Sequence, residues 1–247
     1  MKTYLINLDR NADRLKSASQ ELRAQGIDFE RFPAVDGSVL TADERKRVLA
    51  RFHARMARHN PLTNGELGCA LSHAAIWRNM IEEDVSVALV VEDDVQFSNK
   101  FKRALARVTE SMDVTRPQVY LFSDGRINRF TGSDDDSESI DRLEGSRLKR
   151  VWCAEAYVVT LPAARNMLRA NYPVVTPIDW WGRWARRGLI EVYRVRPLTA
   201  RQKQEDYPSD VTPVKPSIGK GWRFLWWKAC RVPEKIIDEL YWMVLKK

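Results

Sequence analysis

Residues 87–97, Val-Ala-Leu-Val-Val-Glu-Asp-Asp-Val-Gln-Phe, constrain this 247-residue chain more than any other segment. Five apolar residues, three of them valine, run directly into Glu92, Asp93 and Asp94. So short a β-branched run predicts a strand buried on both faces of a sheet. Three ionised carboxylates cannot share that interior without partners. They must emerge at the carboxyl end of the strand, where open α/β sheets place their ligands. There they repel one another unless a cation sits among them, and oxygen donors of this kind suit Mg²⁺ or Mn²⁺. Two readings follow: a metal site able to hold a diphosphate, or a solvated acidic turn.

The flanking pattern alternates strands and helices. Residues 3–8 read as a strand, 11–25 as a helix stopped by Gly26, and 27–32 as a short strand. Two capping boxes, Thr41 to Glu44 and Thr63 to Glu66, open helices expected to reach about Arg58 and Glu83. A helix over 98–112, a strand over 118–122 and a polar loop over 131–146 come next. A strand over 151–160, a helix with Pro162 in its first turn and a last strand over 190–195 complete the series. The expected fold class is α/β, a three-layer sandwich with a mostly parallel sheet. The expected division is a catalytic domain over 1–200, a linker or extended arm over 201–221, and an amphipathic segment over 222–247.

An apolar content of 44% supports a core of that size. Cys69, Cys153 and Cys230 form neither a metal-ligand spacing nor a disulfide framework, which points to a reducing compartment. The first residues are too few and too polar for a signal peptide, and no apolar run approaches a membrane span. A cytoplasmic or peripheral membrane protein is expected. The net charge of +8 is uneven: residues 215–247 hold eight Lys/Arg against three Asp/Glu. That distribution argues against a nucleic-acid partner and toward an acidic surface met by the tail. Four of the nine tryptophans lie beyond residue 221, so residues 217–247 are expected to contact an anionic membrane surface. The alternative is a helix that docks on the domain.

Three further segments offer chemistry. Asn7-Leu8-Asp9-Arg10, with Arg14 one turn on, reads by itself first as a helix cap with surface charges; the other reading gives a nucleotide amide donors and two cations. His73, in the small-residue helix Glu66 to Trp77, could be a phosphate donor, a proton carrier or a core histidine. In Pro177 to Trp184, Asp179 could take a proton from a sugar hydroxyl while Trp180 and Trp181 stack on the acceptor. The competing reading is a structural tryptophan cluster with Asp179 as a helix cap. The acidic run Asp134 to Glu138 has no strand leading into it and reads as a solvated loop.

Together these blocks resemble glycosyltransferase family 25, the bacterial lipopolysaccharide and lipooligosaccharide glycosyltransferases. The matching segments are Tyr4 to Arg10 with Arg14, Gly65 to His73 with Trp77, Ala88 to Val95, and Ala156 to Val159 followed by Pro177 to Asp179. The resemblance implies a GT-A-type, Rossmann-like fold and a UDP-sugar donor, typically UDP-galactose. It also implies inversion at the anomeric carbon and a divalent metal, usually Mn²⁺, with Mg²⁺ the other choice. Asp94 and Glu92 would be the metal ligands and Asp179 the catalytic base. Asn7, Leu8, Asp9, Arg10, Arg14, His73, Glu92 and Asp93 would meet the donor, and Trp180 and Trp181 a glycan or glycolipid acceptor. The implied location is the cytoplasmic face of the bacterial inner membrane. Two departures stand out: Glu155 occupies a position expected to be small or histidine, and no histidine follows the last strand, where Gln202 is the nearest polar candidate. Competing functions are a metal-dependent phosphodiesterase or nuclease, and a non-catalytic membrane-bound assembly protein of the same fold.

Overall fold

A computed structural model of the chain describes residues 1–49, 62–124 and 137–203. Nine strands are described: β1 (Lys2–Asn7), β2 (Glu30–Pro33), β3 (Val87–Glu92), β4 (Val95–Phe97), β5 (Gln118–Leu121), β6 (Ser139–Arg142), β7 (Ala156–Thr160), β8 (Glu191–Arg196) and β9 (Ala200–Gln202). Six α-helices accompany them, with a 3-10 helix over Gly145–Arg150: α1 (Ala12–Ala24), α2 (Ala42–Val48), α3 (Asn64–Glu82), α4 (Phe101–Ser111), α5 (Leu161–Asn171) and α6 (Trp181–Arg186).

Seven strands form one sheet in the order β2-β1-β3-β7-β5-β8-β6. Pairing is parallel for β1 with β2, β1 with β3 and β5 with β8, and antiparallel where β7 or β6 takes part. Five of the seven therefore run one way, which is the mostly parallel α/β sheet expected of a GT-A-type sandwich. The interior strand β3 is buried from Val87 to Val91, as its apolar run requires.

Alternation along the strands divides the core into two layers. Tyr4, Ile6, Val90, Tyr157 and Val159 face α3, α5 and α6, where Trp77, Met80, Met167 and Trp181 pack on them. Leu5, Leu89, Val91 and Val158 face the other way, onto Leu22 of α1 and Phe101 and Val108 of α4. Local chemistry sets the helix limits. At Thr41 and Thr63 the hydroxyl accepts from the backbone N–H of Glu44 and Glu66, and each glutamate accepts in return from the threonine N–H. Helix α1 ends with Gly26 at φ +68 and the Ile27 N–H donating to the Leu22 carbonyl, a Schellman stop.

The structure corrects the expected organisation in three places. Residues Ser139–Arg142, expected within a polar loop, form β6, an edge strand antiparallel to β8. Its polar sequence suits an edge, because only one side must pair. The three-residue strands β4 and β9 pair with each other, too short to show alternation. Residues 201–203, expected to begin a linker, belong to the fold: Lys203 contacts Glu21 at 3.0 Å and the Ser17 hydroxyl at 2.7 Å. The continuation of the basic helix to Arg58, the acidic residues 134–136, the rest of the linker and the 217–247 membrane arm lie outside the described residues. No helix among those described is long and apolar enough to cross a membrane.

Candidate active site

Parallel pairing brings the ends of β1 and β3 to one edge, with Ile6 opposite Glu92 and Asn7 opposite Pro33 of β2. Strand β7 runs the other way and starts there, so the Glu92 N–H donates to the Glu155 carbonyl at 2.9 Å. Over this edge lies a cavity of about 500 Å³. It is lined by Asn7, Leu8, Arg10 and Arg14, by Cys69 and His73, by Glu92, Asp93 and Asp94, and by Glu155, Asp179, Trp180 and Gln202. Segments far apart in sequence thus meet at the carboxyl edge of the sheet.

The acids at the end of β3 are individually held, Asp93 and Asp94 buried and Glu92 half-buried. Asp93 accepts from the Asn7 side-chain amide at 2.7 Å, and Arg14 approaches it at 3.6 Å. Asp94 accepts from the Gln202 amide at 2.6 Å. Glu92 meets His73 Nε2 at 3.1 Å and the Cys69 thiol at 3.7 Å. Glu155 accepts from the Ser123 hydroxyl at 2.6 Å. Burial, reinforced by Asp94 and Asp93, pushes the Glu92 carboxyl up to about 8. Asp93 rises to about 6, through burial that the Asn7 amide partly offsets. Glu155 rises to about 7, through burial that Ser123 opposes and the charges on Glu92 and Asp94 reinforce. A positive charge placed among these carboxyls would favour their ionised forms. Their oxygen donors fit Mn²⁺ or Mg²⁺, so Asp94 and Glu92 could hold such an ion.

His73 is 1% exposed. Its Nδ1 lies 2.7 Å from the Tyr157 hydroxyl while Nε2 faces Glu92. Burial lowers its pKa to about 3, so the ring is neutral. Both ring nitrogens are engaged, and His73 lines the cavity while holding Glu92.

Asp179 sits in the turn before α6, where its carboxylate accepts from the Cys153 N–H at 3.4 Å. Burial raises its pKa, the Cys153 N–H opposing. Cys153 adopts φ +82, a left-handed conformation costly for a side chain, and its carbonyl accepts from Trp181 Nε1 at 2.8 Å. Both backbone polar groups of this strained residue thus hold the Asp179 turn. Trp180 is half-buried against the cavity with the Arg183 guanidinium over its ring. Trp181 is fully buried, packed edge-on to Trp184 and tilted against Tyr157. The acceptor platform expected at Trp181 is corrected accordingly, since a buried ring offers a sugar no face.

Asp9 is also corrected. Its exposed carboxylate pairs with Arg31 outside the cavity. Asn7 is 1% exposed and works as a bracket, accepting from Arg31 Nε at 3.1 Å while its amide donates to Asp93.

Several residues of the cavity wall, or packed directly behind it, were missed in the sequence. Asp36 binds Arg10 and accepts from the Ser38 N–H and hydroxyl, shaping the loop after β2. Cys69 and Tyr157 complete the contacts of His73 and Glu92. A four-residue spacing on a helix could have flagged Cys69 with His73; nothing local flagged Asp36.

Comparisons with known proteins bear on the family of the chain. The family described as glycosyltransferase family 25 (LPS biosynthesis protein) matches residues 1–181. Procollagen galactosyltransferase 2 of Mus musculus is 35% identical over 181 residues, covering 71% of this chain and 29% of that protein. The Homo sapiens protein of the same name is 28% identical over 180 residues, covering 71% and 29%. A glycosyltransferase 25 family member of Aedes aegypti is 38% identical over 110 residues, covering 43% and 18%. The chain thus spans less than a third of the length of these curated relatives. The solved galactosyltransferase LgtC, in complex with donor and acceptor sugar analogs, aligns over 95% of this chain and 98% of its own. Its TM-score of 0.42 at 14% identity is too distant to add to the family match.

Proposed function

The chain belongs to glycosyltransferase family 25, and we propose that it transfers a hexose, galactose first, from a UDP-sugar to a glycan acceptor with inversion at the anomeric carbon. The observation that carries this reading is the convergence of the carboxylate cluster, the Arg10 and Arg14 cations and Asp179 on one cavity.

Each group has a task that its surroundings support. Arg10 and Arg14 line the side of the cavity at the end of β1, where they offer positive charge to a diphosphate. Asp94 and Glu92 would hold a divalent cation, Mn²⁺ or Mg²⁺. Such an ion, when bound, neutralises the diphosphate as the sugar leaves. Gln202 fixes one Asp94 oxygen, and His73 with Cys69 fixes Glu92, so these carboxylates are oriented before a ligand arrives. Asp179 takes the proton from the acceptor hydroxyl; its raised pKa moves it toward the range where a general base works best. The half-buried Trp180 ring offers an edge of apolar surface to the acceptor beside it. Lipopolysaccharide, lipooligosaccharide or a related glycan is the acceptor class proposed.

The test is Asp94→Asn, which keeps shape and removes a charge. Loss of Mn²⁺-dependent transfer in a folded protein is expected. Turnover near that of the wild type at saturating Mn²⁺ removes Asp94 from this role.

A further inference from the structure

Beyond the oxygen donors at Asp94, the same wall of the cavity carries a softer ligand set. Cys69 and His73 stand one turn apart on α3, and both reach Glu92 at the end of β3. One ligand atom from each of the three lies within 4.8 Å of the other two. The Cys69 sulfur is 3.7 Å from Glu92 Oε1, and His73 Nε2 is 3.1 Å from the same oxygen. Zn²⁺ takes sulfur at about 2.3 Å and nitrogen or oxygen at about 2.0–2.2 Å, so neighbouring donors on a tetrahedron lie roughly 3.2–3.8 Å apart. Both measured separations are close to that range.

Two other observations point to an ion. The Tyr157 hydroxyl sits 2.7 Å from His73 Nδ1, the outer contact that commonly fixes the ring of a metal-ligating histidine. Cys69, His73 and Glu92 all line the cavity, which leaves a fourth position open to water or ligand. Three protein ligands and one open position are the arrangement of open zinc sites, as against the closed four-ligand structural ones.

We propose that Cys69, His73 and Glu92 form a second cation site, for a thiophilic divalent ion such as Zn²⁺ or Co²⁺. As the ion binds, the Cys69 thiol releases its proton to solvent and a sulfur–metal bond forms. His73 binds through the Nε2 lone pair and donates its Nδ1–H to the Tyr157 oxygen. Where the site is read together with the proposed Mn²⁺ position, the two share Glu92, so a thiophilic ion antagonises Mn²⁺.

The full chain is titrated with Co²⁺ in the absence of oxygen, and its absorption is followed. One equivalent is expected to produce a near-ultraviolet thiolate-to-cobalt band with the visible bands of a tetrahedral ion. Zn²⁺ should displace it. Cys69→Ser should abolish the thiolate band, while Cys153→Ser, Cys230→Ser and Asp94→Asn keep it. Tyr157→Phe should weaken Co²⁺ binding by about 10–100-fold, the usual effect of losing an outer contact. Circular dichroism of each variant reports folding. A wild-type protein without the band, or a band that survives in Cys69→Ser, overturns the proposal. No nucleotide sugar enters the measurement, so a missing band leaves the transferase reading standing, and a missing transferase activity leaves this site standing.

Discussion

At the scale of single residues, Asp179 is the group whose removal reports most cleanly on chemistry. It is held by the Cys153 N–H in a turn pinned by Trp181, so an isosteric amide should leave the turn in place. Asp179→Asn cannot take a proton, and loss of a general base costs about 10²–10⁴-fold in rate. Turnover is expected to fall by that factor while UDP-sugar affinity, measured by titration, stays nearly constant. A joint collapse of affinity and turnover would assign Asp179 to holding the donor or the fold. The carboxylate cluster makes a separate prediction about pH. Glu92 is raised to about 8 and Asp93 to about 6, above their ordinary values. The folded state then keeps protons that the unfolded state has released. The stability these groups contribute is full below the unfolded values and is lost as pH rises through 6 and 8. His73 acts oppositely: its lowered pKa costs stability only as pH falls below its ordinary value of about 6.5. Between about pH 6.5 and 9 the carboxyls dominate. The metal-free melting temperature should fall across that window, and the increase produced by Mn²⁺ should grow. A Mn²⁺ shift that shrinks with rising pH would contradict a carboxylate site.

At the scale of elements, α3 is the part that organises the cavity. A Cβ on Gly68 would lie 2.5 Å from the Val35 carbonyl oxygen, and one on Gly37 would overlap the Asn64 carbonyl. Ser72 ties the same loop, accepting from the Val35 N–H at 2.8 Å while donating to the Gly68 carbonyl at 2.7 Å. Gly68→Ala should push the loop carrying Asp36 and Ser38 off α3. Overpacking of this kind costs about 1–3 kcal/mol, which urea unfolding would read. Donor affinity should weaken with it; unchanged stability and affinity would show that the loop does not depend on this contact. Much of α3 was legible beforehand. Its capping box marked the start, and its small residues signalled a close neighbour. That the neighbour is the loop after β2 was not legible, because the contact joins residues about thirty apart and leaves no local pattern. Strands β4, β6 and β9 escaped for a related reason: each is short or polar, and its partner strand alone makes it a strand.

At the scale of the whole molecule, the strand-to-carboxylate run at 87–97 pointed to the cavity that its acids line, because burial and charge conflict within a few residues. The sheet resolves that conflict by ending β3 at its carboxyl edge, beside the end of β1 and the start of β7. The grouping of Asp94 with Gln202 and of Glu155 with Ser123 depends on that topology, and no spacing in the chain reveals it. The tryptophan-rich segment shows the opposite limit. Trp180 faces the cavity and Trp181 the core, and sequence alone cannot tell which side of a short helix is buried. The central claim is that these converged groups transfer a sugar from a nucleotide. Its most direct measurement is UDP release by the wild-type chain, with Mn²⁺, a glycan acceptor and a panel of UDP-sugars. The account predicts acceptor-dependent UDP release that one sugar, galactose first, supports best, with release lost when Mn²⁺ is chelated. No release with any UDP-sugar, alongside Mn²⁺-dependent cleavage of a phosphodiester, would contradict it.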